Sequence, residues 1–243
     1  GCQAIAAMAF GTDSICAVDK IVGPGNAYVT AAQKLVFGYV DIDMLAGPSE
    51  LVVLADESAD ARLAAADLLS QAEHGPDSEA ILVTTSAELA AQVQRELCIQ
   101  VDALSRRSTI ARSLGQRGLM IIANDLDQAI DVVNQYAPEH LEILVDNPHA
   151  LLGRISNAGS ALLGPLTPVA ATDYAAGPNH VLPTGGTARS RSALSVRDFV
   201  RVQNVTSLAR ASLDDILDAA HAIATIEGLD AHAAALAARR SAL

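Results

Sequence analysis

Short apolar runs alternate with segments of helical periodicity along most of this 243-residue chain. Runs such as Leu51–Leu54 and Ala80–Thr84 have the length of buried strands and are rich in Val, Ile and Leu. The segments between them, such as Ala87–Gln100, repeat Ala and Leu at the spacing of one helix face. Strands that alternate with helices in this way indicate a parallel sheet with helices on both of its faces.

We therefore predict an α/β fold with incomplete, Rossmann-like parallel layers and a small helical tail. We divide it into residues 1–50, residues 51–194 and a tail at 195–243. The stretch 164–186 is rich in Gly, Pro and Thr and predicts a long ordered loop, which in many proteins is functional. The predicted helices are Gln3–Phe10, Ala27–Phe37, Ser58–Gln71, Ala87–Gln100, Leu126–Tyr136 and two tail helices that separate near Gly228, and the predicted strands are Val40–Met44, Leu51–Leu54, Ala80–Thr84, Leu119–Ala123 and Leu141–Val145.

Composition argues against several classes of protein. The net charge is -12 and no run of Lys or Arg supplies a basic patch, which argues against nucleic-acid binding. The longest charge-free stretch, 155–172, contains two prolines and two glycines and is a poor membrane span. Cys2, Cys16 and Cys98 are scattered, so we do not expect a disulfide-stapled secreted fold. These features favour a cytoplasmic protein.

The string QAEHGPD, from Gln71 to Asp77, ends a predicted helix and forms a first candidate site. Gln71 and His74 are three residues apart, so they share a helix face, as two ligands of one metal ion must. An ordinary helix C-terminus explains the same residues, because His suits the negative end of the helix dipole and Gly and Pro are stop signals. The spacing alone leaves both interpretations open.

Glu139 and His140 form a second candidate, between a predicted helix and a predicted strand. They can supply two proton acceptors of different basicity, because His titrates near neutrality and burial can raise the pKa of a Glu. A solvated turn explains the same pattern, and on the pattern alone it is the more frequent outcome.

Four further residues carry weaker signals. Asp173 and His180 lie in the Gly- and Pro-rich stretch, where ordinary turn chemistry would account for them. Glu227 and His232 lie in the helical tail, where such residues are usually solvated. The turn GPGN at 23–26 precedes a helix whose N-terminus could bind phosphate, although the fingerprint GxGxxG is absent.

Taken together and in order, five strings of this chain resemble histidinol dehydrogenase. This family oxidises L-histidinol to L-histidinal and then to L-histidine with two NAD, in the last step of histidine biosynthesis. Its members hold one zinc ion per subunit and form cytoplasmic homodimers whose C-terminal tails cross to the partner. They also carry a long N-terminal portion ahead of Gln3, so the resemblance leads us to expect a C-terminal portion. The strings are GPGNA at 23–27, AGPSE at 46–50, SQAEHGPDS at 70–78, PEHL at 138–141 and NHVLPT at 179–184.

The resemblance implies a zinc site whose ligands also contact the substrate. Two imidazoles, a carboxylate and an amide oxygen suit zinc and leave room for a substrate, although manganese and cobalt accept similar ligands. Zinc would hold the amine and imidazole nitrogens of L-histidinol as a template. The implied ligands are Gln71, His74, Asp173 and, from the tail, His232 of the partner subunit.

The resemblance also implies the acid–base and cofactor contacts. His140 would bind the substrate and remove its hydroxyl proton, and Glu139 would activate the water that hydrates the aldehyde. Such a second step needs no cysteine thiolate, and the three cysteines fall outside every string. The other implied contacts are Ser49 and Glu227 for the substrate and Gln3 and Asn26 for NAD.

Two other functions remain open at this point. A non-catalytic remnant would bind zinc, or zinc and histidinol, without redox turnover, because the family's NAD pocket needs the N-terminal portion. A metal hydrolase would use the same zinc ion to activate water. The hydrolase leaves the match at Glu139 and His140 and the NAD-contact positions unexplained.

Overall fold

The protein is described by a computed structural model that covers residues 1–241 and contains two compact units, Gly1–Phe199 and a second from Val200 onward. The α-helices are α1 (Cys2–Phe10), α2 (Ala27–Val36), α3 (Ala61–Ala72), α4 (Ala87–Val101), α5 (Arg107–Arg117), α6 (Leu126–Tyr136), α7 (Val169–Tyr174), α8 (Arg210–Ile226) and α9 (Asp230–Ser241). The strands are β1 (Lys20–Ile21), β2 (Asp41–Ile42), β3 (Glu50–Ala55), β4 (Glu79–Thr84), β5 (Leu119–Ile122), β6 (His140–Leu144) and β7 (Ser160–Leu163).

A five-stranded parallel sheet with the order β5-β4-β3-β6-β7 forms the centre of the first unit. The central strand β3 is buried along its whole length, as expected for a parallel strand that is covered on both faces. Buried residues of α3, α4 and α5 pack on one face, and those of α6 pack on the other. The predicted α/β class, with parallel layers and helices on both faces, is confirmed.

A smaller layer precedes this sheet. Strands β1 and β2 pair in parallel. Asn26 is the N-cap of α2, and its Oδ1 accepts hydrogen bonds from the backbone N–H groups of Tyr28 (3.1 Å) and Val29 (3.2 Å). This cap explains why the turn GPGN leads directly into a helix. The apolar residues that this layer buries together are Ile5, Ile21, Val36, Val40 and Ile42.

Several boundaries differ from the predicted ones. Helix α3 begins at Ala61 instead of Ser58, because the side chain of Asp60 accepts a hydrogen bond from the Arg62 N–H (2.8 Å) and caps the helix there. Helix α5 and strand β7 fall outside the predicted elements. The sequence of α5 is polar and buries only Ile110 and Ser113, so its apolar periodicity is weak.

The stretch 164–186 is not one continuous loop, so that prediction is wrong. Helix α7 interrupts it, and Asp173 and Tyr174 belong to this helix. Pro168 takes the N-cap position of α7 with an extended backbone, and Val169 is buried beside α3 in the core. A short apolar contact therefore orders a segment whose composition predicts only a loop.

The second unit contains the two helices predicted for the tail. Helix α8 ends at Ile226, Gly228 has a φ of 68°, and α9 begins at Asp230. Within residues 1–241, no helix is both long enough and apolar enough to cross a membrane. The division into residues 1–50, 51–194 and 195–243 stays a prediction.

Candidate active site

Several predicted site residues of the first unit gather at the amino-terminal ends of the central strands. Glu50 is the first residue of β3, and His140 is the first residue of β6, which pairs in parallel with β3. Helix α3 connects the parallel strands β3 and β4, so it runs back to this edge and ends beside Gln71 and His74. Open α/β sheets usually bind ligands at the opposite edge, outside the carboxyl ends of their strands.

Glu50 and Glu139 bind each other's backbone and join the two strand ends. The Glu50 N–H donates to Glu139 Oε2 (2.8 Å), and the Glu139 N–H donates to Glu50 Oε2 (3.3 Å). The Gly185 N–H donates to Glu50 Oε1 (2.7 Å), which adds the segment after α7 to the same cluster. Both carboxyl groups are buried, so these hydrogen bonds are not exposed to competition from water.

The turn after α6 positions Glu139. Ala137 ends the helix with a φ of 57°, and among residues 1–241 it is the one non-glycine residue with a positive φ. This conformation costs roughly 1 kcal/mol or more, and such outliers are concentrated at functional sites. The N–H groups of Gly159 and Ser160 donate to the carbonyl oxygens of Pro138 and Glu139, each at 2.9 Å, and hold the turn in place.

His140 presents an unprotonated nitrogen. Its Nδ1 lies 3.3 Å from the carbonyl oxygen of Glu50, and because a carbonyl can only accept, Nδ1 carries the proton. Its Nε2 is buried, has no hydrogen-bond partner within residues 1–241 and lies 3.5 Å from Asp173 Oδ1. Burial lowers the pKa of His140, although the charge of Asp173 acts in the opposite direction. A neutral imidazole therefore offers its Nε2 lone pair.

Glu139 is a carboxyl group with a strongly raised pKa. Burial raises the pKa of Glu139 to about 8; the hydrogen bond from the Glu50 N–H opposes this shift, and the nearby charges of Glu50 and Asp173 add to it. Glu139 lines a cavity of about 220 Å³, here called the inner cavity, together with Ser49, His180 and other residues. A group that titrates near pH 8 can both release and accept a proton near neutrality.

A larger cleft of about 740 Å³, here called the outer cleft, adjoins the inner cavity through Ser49. Its walls include Asn26 at the start of α2 and His74 just after α3. Volumes of this size are typical of small-molecule and cofactor sites. Two of the residues predicted to bind substrate and one predicted to bind NAD therefore face one space.

The candidate metal ligands of the first unit lie next to this space. Gln71 is 1% exposed, yet neither of its amide atoms has a hydrogen-bond partner within residues 1–241. The Nδ1 of His74 lies 3.0 Å from the Ser70 carbonyl oxygen, so its Nε2 is available to a ligand. Asp173 is on α7, beside His140. In the described part of the chain, no group of three His, Cys, Asp or Glu side chains is arranged to hold a metal ion.

Two predicted site residues belong to the second unit, and a third is on α1 of the first unit. Glu227 is the exposed C-cap of α8 and His232 is exposed on α9, both in the second unit. Gln3 is exposed on α1, where its Oε1 lies 3.4 Å from Cys2 Sγ, and it is not among the residues that line the outer cleft.

Four buried acids were missed by the sequence-based prediction: Asp43, Glu50, Asp67 and Glu142. Asp67 and Glu142 are joined by a hydrogen bond, and burial raises the pKa of both, that of Glu142 to about 9. A signal for Glu142 existed, because it interrupts an otherwise apolar strand, Leu141 to Val145. An acid inside such a run must be neutral or paired.

Comparisons by sequence and by structure show which family this chain is similar to. Residues 1–240 match the family model described as histidinol dehydrogenase. The histidinol dehydrogenase of Halalkalibacterium halodurans is 52% identical over 97% of this chain and 56% of its own length, and that of Caldanaerobacter subterraneus is 53% identical over 96% of this chain and 54% of its own. A crystal structure of histidinol dehydrogenase from Elizabethkingia anophelis matches with a TM-score of 0.93 and 41% identity, over 99% of this chain and 55% of that one. The chain thus spans a little over half the length of the relatives it matches.

Proposed function

The chain belongs to the histidinol dehydrogenase family, an oxidoreductase family, and we propose that it carries the acid–base and metal-binding residues for the oxidation of L-histidinol. The proposed reaction converts L-histidinol through L-histidinal to L-histidine with two NAD, as the last step of histidine biosynthesis. We expect a cytoplasmic homodimer in which the tail of each subunit completes the partner's site. The observation that carries the proposal is the buried imidazole of His140, whose Nε2 is unpaired within the described residues.

In the first oxidation, the alcohol carbon loses a hydride and the hydroxyl group loses a proton. NAD, when bound, accepts the hydride of each oxidation. His140 Nε2 accepts the proton, because Nδ1 is already protonated and burial keeps the ring neutral near pH 7. Asp173, 3.5 Å from Nε2, stabilises the imidazolium that results.

In the second oxidation, water adds to the aldehyde carbon and the resulting hydrate is oxidised to the carboxylate. Glu139, as a carboxylate, accepts a proton from the attacking water. Its pKa of about 8 makes it a stronger base than an ordinary Glu and leaves a useful fraction ionised near neutrality. Ser49 lines the same inner cavity and is a candidate contact for the substrate.

The donor set fits a zinc ion. Gln71 and His74 at the end of α3, Asp173 on α7 and His232 of the partner subunit would supply an amide oxygen, two imidazoles and a carboxylate. The orphaned Gln71 amide supports this set, because a buried polar group without a partner costs about 1–3 kcal/mol and ligation would satisfy its oxygen. When bound, zinc would hold the two substrate nitrogens and orient the alcohol carbon, with Glu227 at the amino group.

The NAD contacts proposed are Asn26 and Gln3. Asn26 has the better support, because it lines the outer cleft together with Ser49 and lies at the N-terminus of α2, where backbone N–H groups favour phosphate. The support for Gln3 is the family match that includes it.

The test is the number of NADH molecules formed for each L-histidinol consumed by this chain supplied with zinc. Two NADH would establish the proposed reaction. Binding of zinc and histidinol without NADH would favour the non-catalytic remnant, and NAD-independent hydrolysis of an ester or amide would favour the hydrolase.

Replacement of Glu139 by Gln gives a sharper version of this test. The variant should form one NADH at close to the normal rate and then accumulate L-histidinal, because loss of a general base slows its own step by about 10²-fold or more. Zinc content should stay unchanged, and Glu57→Gln, on an exposed loop, is the matched control. Loss of zinc in the Glu139 variant would show that Glu139 is misassigned.

A further inference from the structure

Four buried side-chain atoms have no hydrogen-bond partner in the described part of the chain: Nε2 and Oε1 of Gln71, Nε2 of His140 and Oε2 of Glu142. All four belong to two facing elements, α3 and β6. Each unpaired buried polar atom costs about 1–3 kcal/mol, so their coincidence in one place indicates a set that is completed on ligand binding.

The register of the two elements brings these atoms together. Asp67 and Gln71 are four residues apart on one face of α3, which is roughly 6 Å along the helix. Glu142 and His140 are two residues apart on one face of β6, which is roughly 6.6 Å along the strand. Since α3 runs antiparallel to the strands and Asp67 is hydrogen-bonded to Glu142, Gln71 comes level with His140.

The packing around these residues supports the same register. Leu144, two residues beyond Glu142, and Leu162, opposite Glu142 on β7, belong to the core cluster that contains Leu68 and Leu69 of α3. Glu142 therefore lies on the face of the sheet that α3 covers.

The chemistry of the unpaired atoms then favours one complementary pairing. The amide nitrogen of Gln71 only donates, and the unpaired acceptors on β6 among the described residues are the free oxygen of Glu142 and Nε2 of His140. His140 Nε2 lies beside Asp173 and is proposed to accept the substrate's proton, so Glu142 is the acceptor left for Gln71. The reverse amide orientation would set two acceptor oxygens against each other. We propose that Glu142 is a positioning residue: when a metal ion is bound, its free oxygen accepts a hydrogen bond from Gln71 Nε2, and this bond directs Gln71 Oε1 toward the ion. Asp67 is hydrogen-bonded to the same carboxyl group. This inference rests on the proposed metal site.

The experiment measures zinc affinity of the full chain by competition with a chromophoric chelator. The double replacement Asp67→Leu with Glu142→Leu removes the acceptor and leaves no carboxyl group buried alone; apolar substitution of such pairs is often tolerated. We expect it to weaken zinc binding about 10–100-fold, the usual cost of losing an outer-shell partner of a ligand. Glu142→Met, which removes the acceptor alone, gives the same test in case the double variant does not fold.

Two variants separate positioning from a purely structural role. Glu142→Gln keeps an acceptor for Gln71 and a donor for Asp67, so it should bind zinc within about 3-fold of the unmodified chain. Leu162→Ala makes a cavity directly beside Glu142 in the register, so it should lower stability and leave zinc affinity within the same limit.

Three results would overturn the inference. The inference is refuted if the double variant, Asp67→Leu with Glu142→Leu, folds and binds zinc with unchanged affinity. It is also refuted if Glu142→Gln binds zinc as weakly as the double variant. Replacement of His74 by Ala tests the metal site itself. If that change does not affect zinc binding, both the proposed metal site and this inference are refuted. If His74→Ala weakens zinc binding but the double replacement Asp67→Leu with Glu142→Leu does not, the inference alone is refuted.

Discussion

Glu139 should make the protein less stable as the pH rises, and replacement by Gln should remove this effect. The pKa of Glu139 is raised from 4.5 to about 8 in the folded chain, so between these values the folded state binds a proton that the unfolded state has released. The stabilisation that this bound proton gives is complete below the pKa of Glu139 in the unfolded chain. It is lost as the pH rises through the pKa of Glu139 in the folded chain. Each pH unit in this window costs about 1.4 kcal/mol for one proton, so a rise from about pH 5.5 to about 7.0 costs about 2 kcal/mol.

The assay is urea unfolding of the metal-free chain at both pH values, followed by circular dichroism. Other groups also titrate, so the quantity of interest is the difference in pH dependence between the original chain and Glu139→Gln. The amide of the variant retains an acceptor for the Glu50 N–H, which keeps the hydrogen bond of 2.8 Å. Glu57→Gln should show the original dependence, because Glu57 is exposed. Equal pH dependence in the original chain and the Glu139→Gln variant would mean that Glu139 is already ionised when folded, and the argument for a basic carboxylate would fail.

Three further replacements test the tail, the cap and the turn. His232→Ala should lower the zinc content of the proposed dimer, measured by atomic absorption, with exposed His221→Ala as control; unchanged zinc would exclude the tail ligand. Asn26→Ala should cost about 1 kcal/mol in thermal unfolding because two N–H groups lose their cap, and Asn26→Ser should restore most of it. Gly159→Ala should cost about 1–3 kcal/mol, because its Cβ would lie 2.6 Å from the Glu139 carbonyl oxygen; Gly153→Ala meets nothing within 4 Å, and an equal loss there would contradict the reason given.

Elements with strong local signals were predictable from the sequence. Helix α6 has the predicted bounds, because its apolar period is regular and Asp125 caps it through the Gln128 N–H at 2.8 Å. Helix α7 and strand β7 were not predicted, although strand β5, which is as short as β7, was. Their order comes from contacts distant in sequence, such as Val169 against α3 and the pairing of β7 with β6. Local propensity carries no information on such contacts.

The candidate site was predictable in part for the same reason. Glu139 and His140 form a recognisable string, but the string does not reveal that the carbonyl oxygen of Glu50, 90 residues earlier, selects the tautomer of His140. The role of Glu142 likewise depends on Asp67 from another element. The chemistry of a side chain is set by partners that only the fold brings near it, so the sequence could name candidate residues such as Glu139 and His140 but not their protonation.

Two helix ends of opposite partial charge lie at the outer cleft, and each suits one of the proposed ligands. Helix α3 directs its C-terminus toward the cleft, and the partial negative charge there favours cations such as a metal ion or a protonated amine. Helix α2 directs its N-terminus, capped by Asn26, toward the same space, and the partial positive charge there favours phosphate. At the amino ends of parallel strands, a site meets the C-termini of the helices that connect those strands. These helices of the main sheet therefore supply only partial negative charge, which favours cations. The anion side must come from a helix outside that sheet, which is the position of α2.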